Sequence, residues 1–271
     1  MSANVLSDVQ NVTTLLAVEN QLAAALGIDM IYRPDTTINT KRGIHADVVP
    51  SVVPRIRYFG IGIKGYANLT SQNNIAQPFV PSATNCDLFE PIPFRCVTTP
   101  LTGEEAEQYV MRDTTTINGI KYYRYWLKKI EFESSTVRLT KVENKVESEF
   151  TLDSSNLYPV PADLSPTDIA TVQSRITASV SGICRVTGKE VVEVINAMYG
   201  GDMRRARISE IGTYSGIPYR VEASDDGLPE AEEAIYVQLC SHQTSTGQSM
   251  SDPSAIMIVR KSFENGSTVI I

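Results

Sequence analysis

Two short patterns in the sequence contain residue types that could perform chemistry. The glycines of Gly60-x-Gly62-x-x-Gly65 match the spacing of a dinucleotide-binding loop, which also requires a helix to begin at the last glycine. The residues that follow, YANLTSQNN, show no helical periodicity. Alternating glycines in a strand, where another backbone or ring packs closely, explain the pattern better than a nucleotide site.

Cys240 and His242 lie two residues apart and would share one face of a strand. A thiol beside an imidazole can act as a nucleophile. Side chains at positions i and i+2 of a strand are about 7 Å apart, however, and a direct hydrogen bond between them would be strained. We therefore predict a core cysteine and a surface histidine, and the sequence as a whole predicts no catalytic residues and no enzyme.

Two charged clusters could bind ions. Asp226 and Glu233 belong to an acidic stretch, DDGLPEAEE, which lacks the alternating ligand positions of a calcium loop. We interpret this stretch as a solvated turn, and we expect no metal and no cofactor. Arg204 and Arg205 begin the densest basic run, which suits either a contact with a phosphate group or a partner protein, or a solvated turn.

The composition restricts the class of function. The 271 residues include 31 acidic and 24 basic side chains, so the net charge is −7, which argues against a general nucleic-acid coat. No stretch approaches the ~20 apolar residues of a membrane helix, and we expect neither a membrane partner nor a secretory signal. Four scattered cysteines indicate buried thiols, and only Cys86 and Cys96 lie close enough in sequence to suggest a local disulfide.

The elements that position these residues centre on residues 108–152. Asn118-Gly119 stands between two β-prone runs and predicts a type I′ hairpin turn, because both residues tolerate positive φ. Two more alternating runs follow, and we predict a four-stranded antiparallel meander. Its second strand carries four aromatic residues, Tyr122, Tyr123, Tyr125 and Trp126. Since neighbouring residues of a strand point to opposite faces, at least two of these rings must face the core.

Helices and proline-rich connections flank the meander. Residues 8–26 repeat apolar side chains at helical spacing and predict an amphipathic helix with Ser7 as its N-cap. Residues 33–54 and 71–100 are interrupted by prolines and favour long extended arms of the kind that a partner orders. Capping boxes that begin at Thr102 and Thr187 predict two short helices.

The remaining chain predicts further strands, near residues 176–181, 206–214, 234–240 and 255–260. Residues 158–166 have the composition of a linker, with a helix starting near Thr167. Asn265-Gly266 predicts a last hairpin that leads into an apolar end. An apolar end of this kind is usually tied into a sheet, its own or a neighbour's.

We expect an α+β fold that is predominantly antiparallel β, meander or sandwich-like, with a few short helices and long extended arms. The expected division is an N-terminal helix, arm and strand in residues 1–100, the meander in 101–157, and a second β-rich part in 158–271. The last two parts could form one continuous domain.

The chain resembles the virion structural proteins of tailed bacteriophages, of the neck, head–tail connector, collar or tail type. The resemblance rests on the N-terminal helix, the proline-rich arms, the β-meanders rich in Thr, Ser, Val and Asn, and the lack of a catalytic constellation. It implies a homo-oligomeric ring in the virion that assembles by arm exchange and strand addition and contacts other virion proteins. It also implies an axial channel, often acidic, through which DNA passes only as cargo.

We expect the interfaces to use apolar, aromatic and basic side chains, because exposed apolar surface and unpaired strand edges favour association. These side chains are Leu15, Leu22, Tyr123, Tyr125, Trp126, Arg204, Arg205, Val269, Ile270 and Ile271. The alternative function is a carbohydrate- or receptor-binding β-module of a tail or adhesin, which would use the aromatic hairpin as a stacking surface.

Overall fold

The computed structural model describes residues 9–26, 33–49, 52–69, 75–133, 138–143, 146–151, 174–224 and 226–269. Within these residues the chain is mostly antiparallel β-sheet with short helices, as the sequence predicts. The helices, in chain order, are α1 (Leu15–Leu26), α2 (Ile38–Arg42), α3 (Gly103–Ala106) and α4 (Gly188–Tyr199).

The described strands, in chain order, are β1 (Gln10–Thr13), β2 (Arg55–Gly62), β3 (Tyr66–Leu69), β4 (Ile75–Pro78), β5 (Pro91–Ile92), β6 (Arg95–Val97), β7 (Tyr109–Ile117), β8 (Ile120–Lys129), β9 (Glu131–Phe132), β10 (Arg138–Glu143), β11 (Val146–Glu149), β12 (Ser174–Thr187), β13 (Arg207–Val221), β14 (Ala231–Ser249) and β15 (Ile256–Val269). Eight of these form one sheet in the order β1-β14-β13-β2-β8-β6, with β5 beside β2 and β7 beside β8. Five others form the sheet β11-β10-β12-β15 with β9 beside β12, and β3 pairs with β4.

The chain divides into two compact units. The first comprises Met1–Ile130 and Arg185–Met257, and the second comprises Glu131–Cys184 and Ile258–Ile271. This division differs from the consecutive segments that we predicted from the sequence. The first unit is discontinuous in sequence because its sheet places β14 and β13 between β1 and β2.

The hairpin at Asn118-Gly119 is confirmed. β7 and β8 pair antiparallel along their length, and the two turn residues have φ angles of 51° and 80°. The four-stranded meander is wrong, however. β8 pairs with β2, β6 and β7, whereas β10 pairs with β11 and β12 in the other sheet. The alternation of apolar and polar residues predicts that a segment is a strand, but it does not predict which strand pairs with that segment.

The N-terminal helix begins later than the sequence indicates. Residues 10–13 form β1, which pairs with β14, and the helix starts at Leu15. Thr14 is buried between them, where its hydroxyl accepts the N–H of Ala17 at 3.2 Å and donates to the carbonyl of Leu239 at 2.5 Å. Thr14 therefore caps the helix. The predicted cap, Ser7, lies outside the described residues.

The proline-rich stretches fold onto their own unit where the structure describes them, so they are not extended arms there. Residues 33–49 contain a short 3-10 helix and α2, and they place Ile38 and Ile44 in the main core. Residues 75–100 contain β4, β5 and β6, with Ile92 and Phe94 fully buried. Prolines prevent long regular elements but allow short ones that are joined by turns.

The predicted capping boxes have different outcomes. At the start of α4, the side chain of Thr187 accepts the N–H of Glu190 and the carboxylate of Glu190 accepts the N–H of Thr187, so this box is confirmed. The α3 helix also exists, but Thr102 makes no side-chain capping bond, and Glu105 pairs with Arg95 instead.

The C-terminal prediction is also corrected. β15 continues as one strand through Val269, so Asn265-Gly266 does not turn a hairpin. The predicted linker at residues 158–166 and the helix near Thr167 lie outside the described residues.

The main core of the first unit is formed by buried side chains from α2, the large sheet and the connections between them: Ile38, Ile44, Tyr58, Leu88, Val110, Met111, Trp126, Leu127, Tyr214, Ala234, Val237 and Leu239.

Candidate assembly surface

Helix α1 directs three of its large apolar side chains toward solvent. Leu15, Val18 and Leu22 are 59%, 50% and 57% exposed. Positions i, i+3 and i+7 lie along one side of a helix, so these three residues form a single stripe, which we call the α1 stripe. Two of its members, Leu15 and Leu22, are among the interface residues predicted from the sequence.

The opposite side of α1 contacts the sheet mainly through small and polar residues, together with the half-buried Leu16. Ala17 and Ala23 are buried, and the side-chain amide of Asn20 donates to that of Gln238 on β14 at 2.8 Å. Gln238 in turn donates to the Thr36 hydroxyl at 3.0 Å. Hydrogen bonds and small-residue packing thus attach α1 to its sheet, and this attachment does not depend on burying the α1 stripe.

An apolar stripe of this kind has the chemistry that suits association. Burying a whole Leu or Val side chain is worth about 1.5–3 kcal/mol, so covering the exposed half of each stripe residue would contribute about 1 kcal/mol. Soluble proteins seldom leave a continuous row of large apolar side chains uncovered unless the row serves as an interface.

Strand β1 lies directly before α1 and forms one edge of the large sheet. Three of its four residues are exposed, and β14 is its only strand partner among the described residues. The outward backbone groups of an edge strand can pair with a strand of another chain. The edge strand and the α1 stripe are therefore adjacent in sequence, joined through Thr14.

The aromatic hairpin is mostly part of the core. Tyr125 is fully buried and its hydroxyl accepts the N–H of Leu101 at 2.7 Å, and Trp126 is only 8% exposed. Their prediction as interface residues is therefore wrong, although two of the four rings were expected to face the core. Tyr122 and Tyr123 are half-buried.

The predicted basic contacts are on the surface and engage carboxylates of their own unit. Arg204 donates two hydrogen bonds to Asp202, at 2.7 and 3.0 Å. Arg205 donates to Glu90 at 3.3 Å and lies over the ring of Tyr199.

Of the three apolar interface residues predicted near the C-terminal end, only the first is among the described residues. Val269 ends β15, its side chain is not described, and Ile270 and Ile271 lie outside the described residues.

The glycine pattern serves close packing, as we predicted. No helix follows Gly65, because the next element is β3. A Cβ atom on Gly60 would lie 3.0 Å from both Leu127 and Tyr214, and one on Gly65 would lie 2.1 Å from the carbonyl oxygen of Ser209. These glycines allow neighbouring chain segments to approach.

His242 is fully buried, so its assignment to the surface is wrong. Its Nε2 lies 3.0 Å from the carboxylate of Glu210, and its Nδ1 lies 3.0 Å from the side-chain amide nitrogen of Asn85. Because that amide donates to Nδ1, the imidazole proton is on Nε2 and is donated to Glu210.

The Glu210 carboxylate also accepts three backbone N–H groups, from Lys64 at 3.0 Å, Phe89 at 2.6 Å and Glu90 at 3.1 Å. Burial raises the pKa of this carboxyl, but the hydrogen bonds from His242 and the backbone outweigh that effect and hold the pKa below its ordinary value. Glu210 thus fixes the proline-rich segment beside the sheet.

Cys240 is a core thiol, as predicted. It donates to the carbonyl of Gln238 at 3.6 Å, and burial raises its pKa to about 11. A thiol with this pKa is protonated at neutral pH and is a poor nucleophile. Cys86 and Cys96 are both free thiols, so the local disulfide is absent from the structure.

The acidic turn contains a second buried carboxylate, which corrects its interpretation as a wholly solvated turn. Glu233 is 1% exposed, pairs with the buried Arg112, and accepts the N–H of Met111 at 2.7 Å. Met111 has a φ of 61°, which is unusual for a bulky residue, so the carboxylate stabilises a strained position.

We did not predict either buried glutamate from the sequence. The available signal was a lone acidic residue within a run of strand formers, as in RISEIGTY around Glu210; Glu233 ends an acidic stretch and gives no such signal. A charge that cannot reach solvent must find partners, so such a position indicates a buried polar network.

The described residues contain no group of three or more His, Cys, Asp or Glu side chains that could hold a metal ion. None of their helices is both long and apolar enough to cross a membrane.

The fold and the site define a mostly antiparallel β protein of the α+β class. The sequence model of one family matches residues 1–261, and the chain therefore belongs to this family, DUF7208, a family of unknown function. No curated protein and no solved structure matches the chain.

Proposed function

We propose that this protein is a structural subunit of a virus particle of the tailed-bacteriophage kind, a component of the neck, head–tail connector or collar. In this proposal it is located in the virion, has no catalytic role, and forms a homo-oligomeric ring. The observation that carries the proposal is the α1 stripe, because its three apolar side chains are exposed along one side of the helix and are available to another subunit.

The contact between subunits uses α1 and the edge strand β1. The stripe spacing of three and four residues is the spacing with which two helices pack along a seam. Strand addition at β1 would extend the large sheet into the neighbouring subunit. A contact that joins different surfaces of successive copies closes into a ring when the rotation between them permits closure.

The proposal places the exchanged element at the N-terminal segment rather than in the proline-rich arms. The described parts of those arms contribute Ile38, Ile92 and Phe94 to the interior of their own unit. Withdrawing them would expose these side chains, whereas the fully buried residues of β1 and α1 are small or polar, and their larger apolar residues Val12 and Leu16 are only half-buried.

Other virion proteins and DNA are partners within the same proposal. The net charge of −7 suits a ring whose channel lets DNA pass without binding it, because binding to DNA requires phosphate neutralisation by basic side chains. The alternative of a carbohydrate-binding module has less support, because Tyr125 and Trp126 are buried.

The test is the native mass of the purified protein by light scattering, followed by negative-stain imaging of any large species. We expect a mass that is an integer multiple of the 29.8 kDa chain and closed rings in the images. A protein that remains a single chain at every concentration, with no ring in the images, would contradict self-assembly.

A further inference from the structure

A lysine amine and a cysteine thiol meet on the surface of the first unit. The Nζ atom of Lys41, in the last turn of α2, lies 2.9 Å from the Sγ atom of Cys86. Lys41 is exposed and Cys86 is half-buried, so solvent reaches the pair. The two residues are 45 positions apart along the chain, and it is the fold that brings the amine to the thiol.

The residues on either side of Cys86 are held in place by other parts of the unit. Asp87 faces Arg42, with 3.6 Å between the nearest side-chain oxygen and nitrogen. The side-chain amide of Asn85 bonds to the buried His242 at 3.0 Å. Because both neighbours of the cysteine are anchored, its thiol is presented at a defined position beside α2.

Cys86 is the most accessible of the four thiols. Cys96, Cys184 and Cys240 are at most 2% exposed, and burial raises their pKa to about 11, 12 and 11. The oxidation of a thiol follows its exposure and its thiolate character. The three buried thiols are protonated near neutral pH and shielded from solvent, so we expect an oxidant in solution to react first at Cys86.

The neighbouring amine gives an oxidised Cys86 a reaction partner. Hydrogen peroxide oxidises a thiol to a sulfenic acid, and a nitrogen nucleophile can condense with that acid to form a sulfenamide. In the first step the sulfur loses two electrons and the peroxide is reduced to water. In the second step the Nζ lone pair of Lys41 attacks Sγ and the S–O bond breaks. The oxygen leaves with a proton from the amine as a second water, so this step needs no further oxidant.

We propose that Cys86 and Lys41 form a covalent modification site for peroxides, at which oxidation of the thiol closes an S–N bond between the two side chains. The bond joins the two proline-rich stretches, residues 33–49 and 75–100, which both pack on the first unit. It therefore locks the folded arrangement and does not rearrange it. The site does not depend on the proposed role in a virion.

The test is to treat the whole protein with hydrogen peroxide in mildly alkaline buffer, in which a larger share of lysine amines is unprotonated. The oxidant is then removed with catalase, and the product is analysed by intact mass and peptide mapping. We expect a product that has lost two hydrogen atoms, in which the peptides that contain Lys41 and Cys86 are joined, and which a thiol reductant reverses. A Cys86 that stays unmodified, or that gains oxygen without becoming joined to Lys41, would overturn the proposal.

Lys41→Arg tests the role of the amine, because a guanidinium group keeps the positive charge but stays protonated and is a poor nucleophile. Oxidation of this variant should end at oxygen-containing products of Cys86, with no joined peptides. Lys121→Arg is the matched control, since Lys121 is also exposed and its amine donates to the carbonyl of Asp226. This control should form the bond as the wild type does. The same joined product in Lys41→Arg would contradict the assignment.

The bond should also stabilise the fold, because a covalent cross-link restricts the unfolded chain. The melting temperature of each protein is measured before and after peroxide treatment. We expect a rise in the wild type and in Lys121→Arg that Lys41→Arg does not show. The same change in all three proteins would contradict the fastening of the two proline-rich stretches.

Discussion

Two buried glutamates, Glu210 and Glu233, accept hydrogen bonds from backbone N–H groups that strand pairing leaves without an acceptor. Glu210 accepts N–H groups of Lys64, Phe89 and Glu90, and Glu233 accepts that of Met111. A buried carboxylate is stable only when several hydrogen bonds offset the loss of hydration. These two side chains therefore fix segments whose backbone would otherwise have unpaired donors.

Replacing Glu210 with Gln should destabilise the protein by about 3 kcal/mol, because the new amide NH2 would face backbone donors and the negative charge opposite His242 would be lost. The measurement is the free energy of unfolding in urea. Glu104→Gln is the matched control, because Glu104 is exposed and should change stability little.

The same variant tests the pH dependence. The pKa of Glu210 is lowered from its ordinary value of 4.5, since the hydrogen bonds outweigh burial. A carboxyl with a lowered folded pKa stabilises the protein fully above its unfolded pKa and loses that contribution as the pH falls through the folded pKa. The wild type should therefore lose more stability than Glu210→Gln upon acidification below about pH 4.5. Identical slopes would refute this role.

At the scale of single residues, the close packing of the glycines was predictable from the sequence, whereas the burial of the polar residues was not. The close packing at Gly60 follows from alternation within a strand, which is a local property. The partners of His242, by contrast, are Asn85 and Glu210, at 157 and 32 residues away along the chain. Only the strand pairing brings them together, so no local pattern could distinguish a buried histidine from an exposed one.

At the scale of elements, local capping chemistry determines where helices begin. α4 starts with a complete capping box, whereas α3 starts at Thr102 without a side-chain bond. Both helices follow the same sequence pattern, so the two threonines form a natural comparison.

Thr187→Ala should lower the free energy of unfolding by about 1 kcal/mol, because the cap of α4 loses its acceptor. Thr102→Ala should change it by less than half as much, since that hydroxyl makes no capping bond. Chemical denaturation of the two variants measures the difference. Equal losses would show that the side-chain bond at Thr187 is not what stabilises the start of α4.

The existence of most elements was predictable, but their partners were not. The Asn118-Gly119 turn specifies its own hairpin because the two strands are adjacent in sequence. β10 and β11 form another local pair, yet nothing in their alternation indicates that β12 rather than β8 lies beside β10. The start of α1 was predicted wrongly for a related reason. Residues 10–13 are too few to distinguish the helical spacing of apolar residues from the strand spacing, and it is their pairing with β14 that makes them a strand.

At the scale of the whole molecule, the first unit has a buried apolar core, but it presents an apolar helix face outward. Leu15 and Leu22 were predicted as interface residues from their place on the helix, and both are more than half exposed. The central claim is that this face joins subunits. Because the stripe residues are more than one-third exposed, we expect their replacement to prevent association while the single chain still folds.

The most direct measurement is the native mass of a Leu15→Ser, Leu22→Ser double variant by sedimentation velocity and light scattering, beside the wild type. Ile120→Ser is the control, because Ile120 is a similarly exposed apolar residue, at 51%, on the β7–β8 hairpin. We predict that the wild type and the control share a multimeric mass, whereas the double variant shifts toward 29.8 kDa and keeps the circular dichroism spectrum of a folded chain. A folded double variant that keeps the full wild-type mass would contradict the account.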